Sequence, residues 1–309
     1  MTGLRRPRPL RPGDVIAILT PATTVRPDFI DGAERVLTEM GYRVRVMPHA
    51  KGPAAGSFAA PLGERLDDFI TAYRDPEVRA ILCARGGYGC VHLLPDIDAA
   101  MLAADPKWVI GFSDISAFHA MMYRAGVMSV HSSMAKMFAE QGADYPNVAR
   151  LMAILTGGDE GETAAPLSPY NRCGSARGVL RGGNLAVLNG LADTPYDLLH
   201  VAENEDVILF LEDISEAIYA VERMLTRLIL GGNIQRLKGL VIGQFTEYRP
   251  DKNHQTMEEM IDRLLRRHDI RIPVIFDFPT GHVDDNRPLV EGAEYEMIVT
   301  PEEAKLRRI

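Results

Sequence analysis

Cysteine is scarce in this 309-residue chain, and the three present, Cys83, Cys90 and Cys173, make an odd number that builds no disulfide framework. Such usage fits a reducing compartment, so the cytoplasm is expected. Six residues lie between Cys83 and Cys90, with no Cys-x-x-Cys or paired-histidine motif nearby, a spacing that argues for small buried side chains rather than zinc. Long apolar runs are also missing. Segments such as 15–19 and 207–211 fall far short of the roughly 20 residues needed to cross a bilayer, so no membrane partner is expected. The arginine-rich start (Arg5, Arg6, Arg8, Arg11) lacks the apolar stretch of a signal peptide, and export is not expected. Positive charge is in deficit. A net charge of −8 works against binding a polyanion, because that affinity comes mainly from Lys and Arg displacing counterions, and no nucleic-acid partner is expected. Tryptophan is reduced to Trp108 alone.

What remains is an ordinary globular composition, 46% hydrophobic and 25% charged, with length enough for two domains. The first half alternates short β-branched runs with helical patterns: strands over 14–19, 42–47, 80–84 and 109–112, helices over 28–40, 65–73 and 115–124. That rhythm predicts α/β structure with a parallel sheet, whose loops gather at the carboxyl ends of the strands, where ligands bind. The pattern weakens between 141 and 177. We expect a first domain over 1–150, a crossing over 151–177 and a second domain over 178–309. In the second half, 207–211 reads as a buried strand. Ile214, Ile218, Val221, Leu225 and Leu228 share one helical face that ends at Gly231-Gly232. Further strands are predicted over 239–242, 274–276 and 294–299.

Three segments carry chemistry-bearing residues. In Trp108-Val-Ile-Gly-Phe-Ser113, an apolar strand runs into a helix and Ser113 stands on the corner. There its hydroxyl points outward and the N–H of Asp114 can meet an oxyanion, an arrangement suited to acyl transfer; the plainer role is a helix cap. Ile81 to Gly89 ends in Arg85-Gly-Gly-Tyr-Gly89, which fails as a dinucleotide fingerprint because His92 stands where the third glycine should be. Its backbone can supply a second oxyanion donor, and Arg85 can hold a carboxylate. Otherwise the paired glycines are only a turn. Glu212 ends a strand expected to be buried, so it needs a partner, for which a histidine ring is the obvious choice; a helix-start role fits its neighbour Asp213 as well. Of eight histidines, His282 follows a predicted strand on a glycine-bearing turn, His119 lies on a helix face and reads as packing, and His131 begins a loop that can touch substrate.

Taken together these segments resemble the LD-carboxypeptidase family of serine peptidases. The resemblance rests on Gly13-Asp-Val-Ile-Ala-Ile18, Arg85-Gly-Gly-Tyr-Gly89, Gly111-Phe-Ser-Asp-Ile-Ser-Ala-Phe-His119, Arg181-Gly-Gly-Asn-Leu185, Leu211-Glu-Asp213 and Gly281-His282, in that order. It implies a doubly wound, glutamine-amidotransferase-like N-terminal domain and a smaller β-rich C-terminal domain, with the site between them. The implied triad is Ser113, Glu212 and His282. Gly87 and Asp114 would form the oxyanion hole, and Arg85, Tyr88 and His131 would contact substrate. No cofactor or metal is implied. The implied reaction is hydrolysis of the L,D-peptide bond to the terminal D-alanine of a murein tetrapeptide during peptidoglycan recycling, by a homodimer. Two other readings share these residues: a peptidase similar to microcin C immunity proteins, cutting an aminoacyl-nucleotide amide, and a non-catalytic binder of small anions.

Overall fold

The computed structural model describes residues 3–158 and 161–309. The chain divides into two compact units, Met1–Glu160 with Arg287–Glu291, and Gly161–Asn286 with Gly292–Ile309.

The first unit is built on β1 (Val15–Leu19), α1 (Pro27–Glu39), β2 (Arg43–Val46), α2 (Leu62–Arg74) and β3 (Val78–Cys83). It continues with α3 (Ala99–Ala104), β4 (Trp108–Gly111), α4 (Ser116–Arg124), β5 (Ser129–His131), α5 (Ala135–Gln141) and α6 (Pro146–Leu155). All five residues of β1 and all four of β4 are buried, as expected of parallel strands covered on both faces. The sheet order is β2-β1-β3-β4-β5, all parallel, with the segment Leu289–Glu291 added antiparallel beside β5. The order reverses between β1 and β3. In a doubly wound sheet, the crevice at the carboxyl ends of such strands is where ligands bind.

The second unit holds β6 (Glu162–Ala164), β7 (Gly174–Asn184), α7 (Leu185–Asn189), β8 (Val207–Ile214), α8 (Ile218–Leu230) and α9 (Asn233–Arg236). Then follow β9 (Gly239–Thr246), α10 (Met257–Arg267), β10 (Val274–Ile275), β11 (Leu289–Glu291, the strand that joins the first unit's sheet), β12 (Glu294–Val299) and β13 (Ala304–Arg308). Its seven-stranded sheet runs β10-β9-β8-β7-β12-β13-β6, parallel from β10 to β7 and antiparallel thereafter. The α/β fold with a β-rich second part is therefore as the sequence implies. Residues 151–177, expected as a crossing, hold the end of α6, β6 and the start of β7. The apolar stripe through Val221, Leu225 and Leu228 is buried along α8, but Ile214 belongs to β8. At Gly182 a Cβ would lie 1.9 Å from the Phe210 carbonyl oxygen, so only glycine lets β7 lie this close to β8 and set Asn184 beside Glu212.

Candidate active site

Ser113 is placed by a strand that stops abruptly. After Gly111 the chain stays extended at Phe112 (φ −150°) and then turns at Ser113 with φ 66° into a single helical turn that leads to α4. A left-handed conformation costs a non-glycine residue about 1–2 kcal/mol, so the surroundings must hold it. Capping does not account for Ser113, since the cap positions of the two helical turns are Phe112 and Ile115 and neither is closed by a side chain.

The Arg85–Gly89 loop passes directly against this corner. A Cβ on Gly86 would stand 3.0 Å from the Ser113 Cβ and 3.1 Å from the Asp114 nitrogen. Gly87 has φ 102° and would strike Thr23 with any side chain. Thr23 fixes the loop from the other side: its N–H donates to the Gly86 carbonyl at 3.2 Å and its Oγ1 accepts the Tyr88 N–H at 3.0 Å. Asp114, buried, accepts the Cys90 N–H at 2.8 Å, and burial pushes its carboxyl pKa upward. Arg85 is exposed and donates to the Thr24 carbonyl at 2.8 Å, while Tyr88 is 55% exposed with its hydroxyl 3.1 Å from His92 Nε2.

Sequence reasoning missed Arg65. Its buried guanidinium donates to the carbonyls of Ala60, Pro21 and Gly89, at 3.0, 2.6 and 3.2 Å, tying the loop after β1 to the glycine loop after β3. The available signal was an arginine sharing the buried stripe of α2 with Asp68, Phe69 and Ala72.

In the second unit Glu212 and His282 meet. Glu212 is wholly buried and its Oε2 accepts the His282 Nδ1–H at 2.7 Å, which puts the ring's basic nitrogen at Nε2. Burial opposes charging the His282 ring, but the Glu212 hydrogen bond and the negative charges of Glu212, Asp213 and Glu247 together outweigh it, so the pKa lies above the ordinary imidazole value. Gly281 allows the approach. It has φ 118°, and a Cβ there would be 2.9 Å from the Glu212 Cβ. Its N–H donates to Asn286 Oδ1 at 3.0 Å, a second contributor that sequence reasoning passed over. Asp213 is indeed a helix-start carboxylate, but for α7. It accepts from the Ala186 N–H and Asn184 Nδ2, both at 2.8 Å, and burial, with Glu212's charge, raises its pKa to about 6.

His131 and His119 are both completely buried in the first unit, with ring centroids 6.3 Å apart, and Phe112 stacks obliquely on His131 at 5.8 Å. His119, His131 and Glu291 bring one ligand atom each within 4.8 Å of the others. Both His119 nitrogens are already engaged, Nδ1 with Ser129 Oγ at 2.8 Å and Nε2 with the Gly111 carbonyl at 2.9 Å, which accounts for that ring without an ion. No helix of the described residues is long and apolar enough to cross a membrane.

The glycine-lined loop and the strained serine lie in the first unit and the carboxylate–imidazole pair in the second, and two family descriptions cover the segments that carry them. The LD-carboxypeptidase N-terminal domain matches residues 16–132, and the LD-carboxypeptidase C-terminal domain matches 177–297. The chain belongs to the LD-carboxypeptidase family. It is 32% identical over 298 residues to a putative carboxypeptidase of Synechocystis, covering 94% of each chain. Among solved structures it resembles the muramoyltetrapeptide carboxypeptidase of Oxalobacter formigenes, with a TM-score of 0.83, 30% identity and coverage of 95% of this chain and 98% of that one. An MccF-like protein of Bacillus anthracis superposes with a TM-score of 0.84 at 25% identity, covering 99% of both chains. This LD-carboxypeptidase family member is thus an enzyme of the serine carboxypeptidase class.

Proposed function

We propose that the enzyme hydrolyses the L,D-peptide bond to the terminal D-alanine of a murein tetrapeptide, with Ser113, His282 and Glu212 as its triad. The observation that carries this reading is the wholly buried Glu212 carboxylate bonded to His282 Nδ1 at 2.7 Å, a pairing that prepares the ring to act as a base through Nε2.

In the proposed reaction His282 Nε2 takes the Ser113 hydroxyl proton as Oγ attacks the scissile carbonyl carbon. The N–H groups of Gly87 and Asp114 donate to the resulting oxyanion. The carbon–nitrogen bond then breaks and the leaving amine of D-alanine takes the proton from His282. Water, deprotonated by His282, adds to the acyl-serine and restores the hydroxyl as the shortened peptide acid departs. Arg85 and Tyr88, both exposed, are proposed to receive the substrate's carboxylate and its side chain. His131 has no exposed surface, so we assign it an indirect part, supporting Phe112. The enzyme is proposed to work as a cytoplasmic homodimer in peptidoglycan recycling.

The likeness to the MccF-like protein keeps a second substrate class in play, an aminoacyl-nucleotide amide. Against it, the one tryptophan is wholly buried in β4 with its indole N–H donating to the Arg8 carbonyl, so it offers no ring for a nucleobase. The test is to incubate the enzyme with L,D-linked and all-D,D-linked tetrapeptides and with an aminoacyl sulfamoyl adenosine. Free D-alanine from the L,D-linked peptide alone is expected; release only from the D,D-linked peptide, or turnover of the nucleotide alone, refutes the assignment. A fluorophosphonate probe that labels wild type but not Ser113→Ala disposes of a non-catalytic anion binder.

A further inference from the structure

His119 lies on α4, a buried helix, six residues beyond the serine taken above as the nucleophile. Its two nitrogens have distinct jobs. A carbonyl can only accept, so the contact of 2.9 Å to Gly111 O fixes the proton on Nε2, and Nδ1 must accept from the Ser129 hydroxyl at 2.8 Å. Burial lowers the ring's pKa to about 4, which keeps it neutral and holds this tautomer across the working pH range. The Gly111 carbonyl receives a second donor, the Ser132 N–H, at 3.0 Å. The last peptide plane of β4 is therefore gripped from α4 by His119 and from the β5 side by Ser132. That plane leads into Phe112 and then into Ser113 with its φ of 66°. Its tilt decides where the strained turn begins.

We infer that His119 is a positioning residue: its Nε2–H, by holding the Gly111–Phe112 peptide plane, sets the direction in which Ser113 Oγ leaves the turn. This rests on Ser113 being the nucleophile. A ring that merely filled space would be replaced by any side chain of similar volume. A ring that served a metal through Nε2 would have to abandon the Gly111 bond. The Gly111 contact separates these possibilities, because glutamine can set an amide N–H where Nε2 stands, asparagine reaches only the Nδ1 place, and leucine supplies volume alone.

The experiment compares His119→Gln, His119→Asn and His119→Leu with wild type. The readouts are the rate of fluorophosphonate labelling, kcat and KM on the L,D-linked tetrapeptide, and the thermal midpoint. A nucleophile displaced by about 1 Å costs ~10²-fold, so His119→Asn and His119→Leu are expected to lose about 10- to 100-fold in labelling rate and kcat with KM changed less than about 2-fold. His119→Gln should recover most of that loss. If His119→Leu does not fold, the Gln and Asn pair carries the comparison, since both are polar and short. The inference is overturned if Gln and Asn lose rate alike, or if rates track thermal midpoints across the set. Wild type that labels while every variant labels equally fast also overturns it and leaves the proposed function intact. Wild type that does not label at all removes the nucleophile and this inference with it.

Discussion

Replacing Glu212 by glutamine changes one oxygen for an NH2 at nearly constant volume, and the structure gives the size of the effect. Two losses combine. The 2.7 Å bond between a wholly buried carboxylate and His282 is charge-assisted, and such bonds contribute about 1.5–3 kcal/mol, which is ~10- to 10²-fold in rate if it acts only in the transition state. The larger loss is electrostatic and tautomeric: an amide carries no charge to stabilise the imidazolium, and its NH2, turned toward Nδ1, favours the wrong tautomer; triads altered this way lose up to ~10⁴-fold in kcat. A fall of ~10² to 10⁴ in kcat is therefore expected, with KM little changed. The pH profile supplies a signed check. His282 must be neutral to act as base, and its pKa stands above the ordinary value of about 6.5 because Glu212 and its neighbours outweigh burial, so the acid limb of kcat/KM in wild type should fall above that pH. In Glu212→Gln the burial remains while the two Glu212 contributions vanish, and the limb must move to lower pH even as the plateau drops. Steady-state kinetics from pH 5 to 9 on the L,D-linked tetrapeptide measures both. A variant with kcat within about 3-fold of wild type and an unmoved acid limb would refute the pairing as the catalytic one.

Other outcomes follow from the same coordinates. Gly281→Ala meets both a φ of 118° and a Cβ contact of 2.9 Å to Glu212, so it should lose about 1–3 kcal/mol of stability by denaturant titration and most of its activity. Ser113→Gly and Ser113→Ala should both abolish probe labelling, but only glycine relieves the left-handed strain, and it should melt no lower than the alanine variant despite glycine's usual penalty of roughly 0.5–1 kcal/mol. A thiol reagent should modify Cys173 alone in the native enzyme, because Cys83 and Cys90 are buried and burial pushes both thiols upward; all three should react in denaturant.

The parts legible in the sequence are those where one physical signal dominates. Buried parallel strands read as unbroken β-branched runs, so β1, β4 and the first part of β8 stand out, and α8 announces itself by an apolar stripe and a double-glycine stop. Elements missed lie where the signals conflict. β13, Ala-Lys-Leu-Arg-Arg, alternates properly but is dominated by charge, and β11 has three residues whose place in the first unit's sheet no local pattern foretells. Glu212 was legible as a carboxylate on a buried strand, because an unpaired charge there is too costly to leave. Its partner His282, 70 positions further on, was legible through the family resemblance and not through any local pattern, since only the fold closes that distance.

The candidate site residues named by sequence reasoning are those at the ends of strands, whereas those it missed support them from inside. Arg65 was hidden in a helix, Thr23 in a loop, Asn286 in an acidic turn, and His119 was read as packing. Each donates to or accepts from backbone rather than from a reacting group. Arg65 gathers the carbonyls of Pro21 and Gly89, Thr23 pins Gly86 and Tyr88, Asn286 holds the Gly281 N–H, and His119 holds the Gly111 carbonyl. The segments they hold are the strained ones, with positive φ at Gly87, Gly89, Ser113 and Gly281. A strained backbone persists only where its surroundings over-determine it, so each of these segments needs polar side chains that fix its peptide planes. Those side chains carry no catalytic signature in sequence, because their chemistry is directed at the chain itself, and the peptide planes that they fix are what aim the groups proposed to do the reaction.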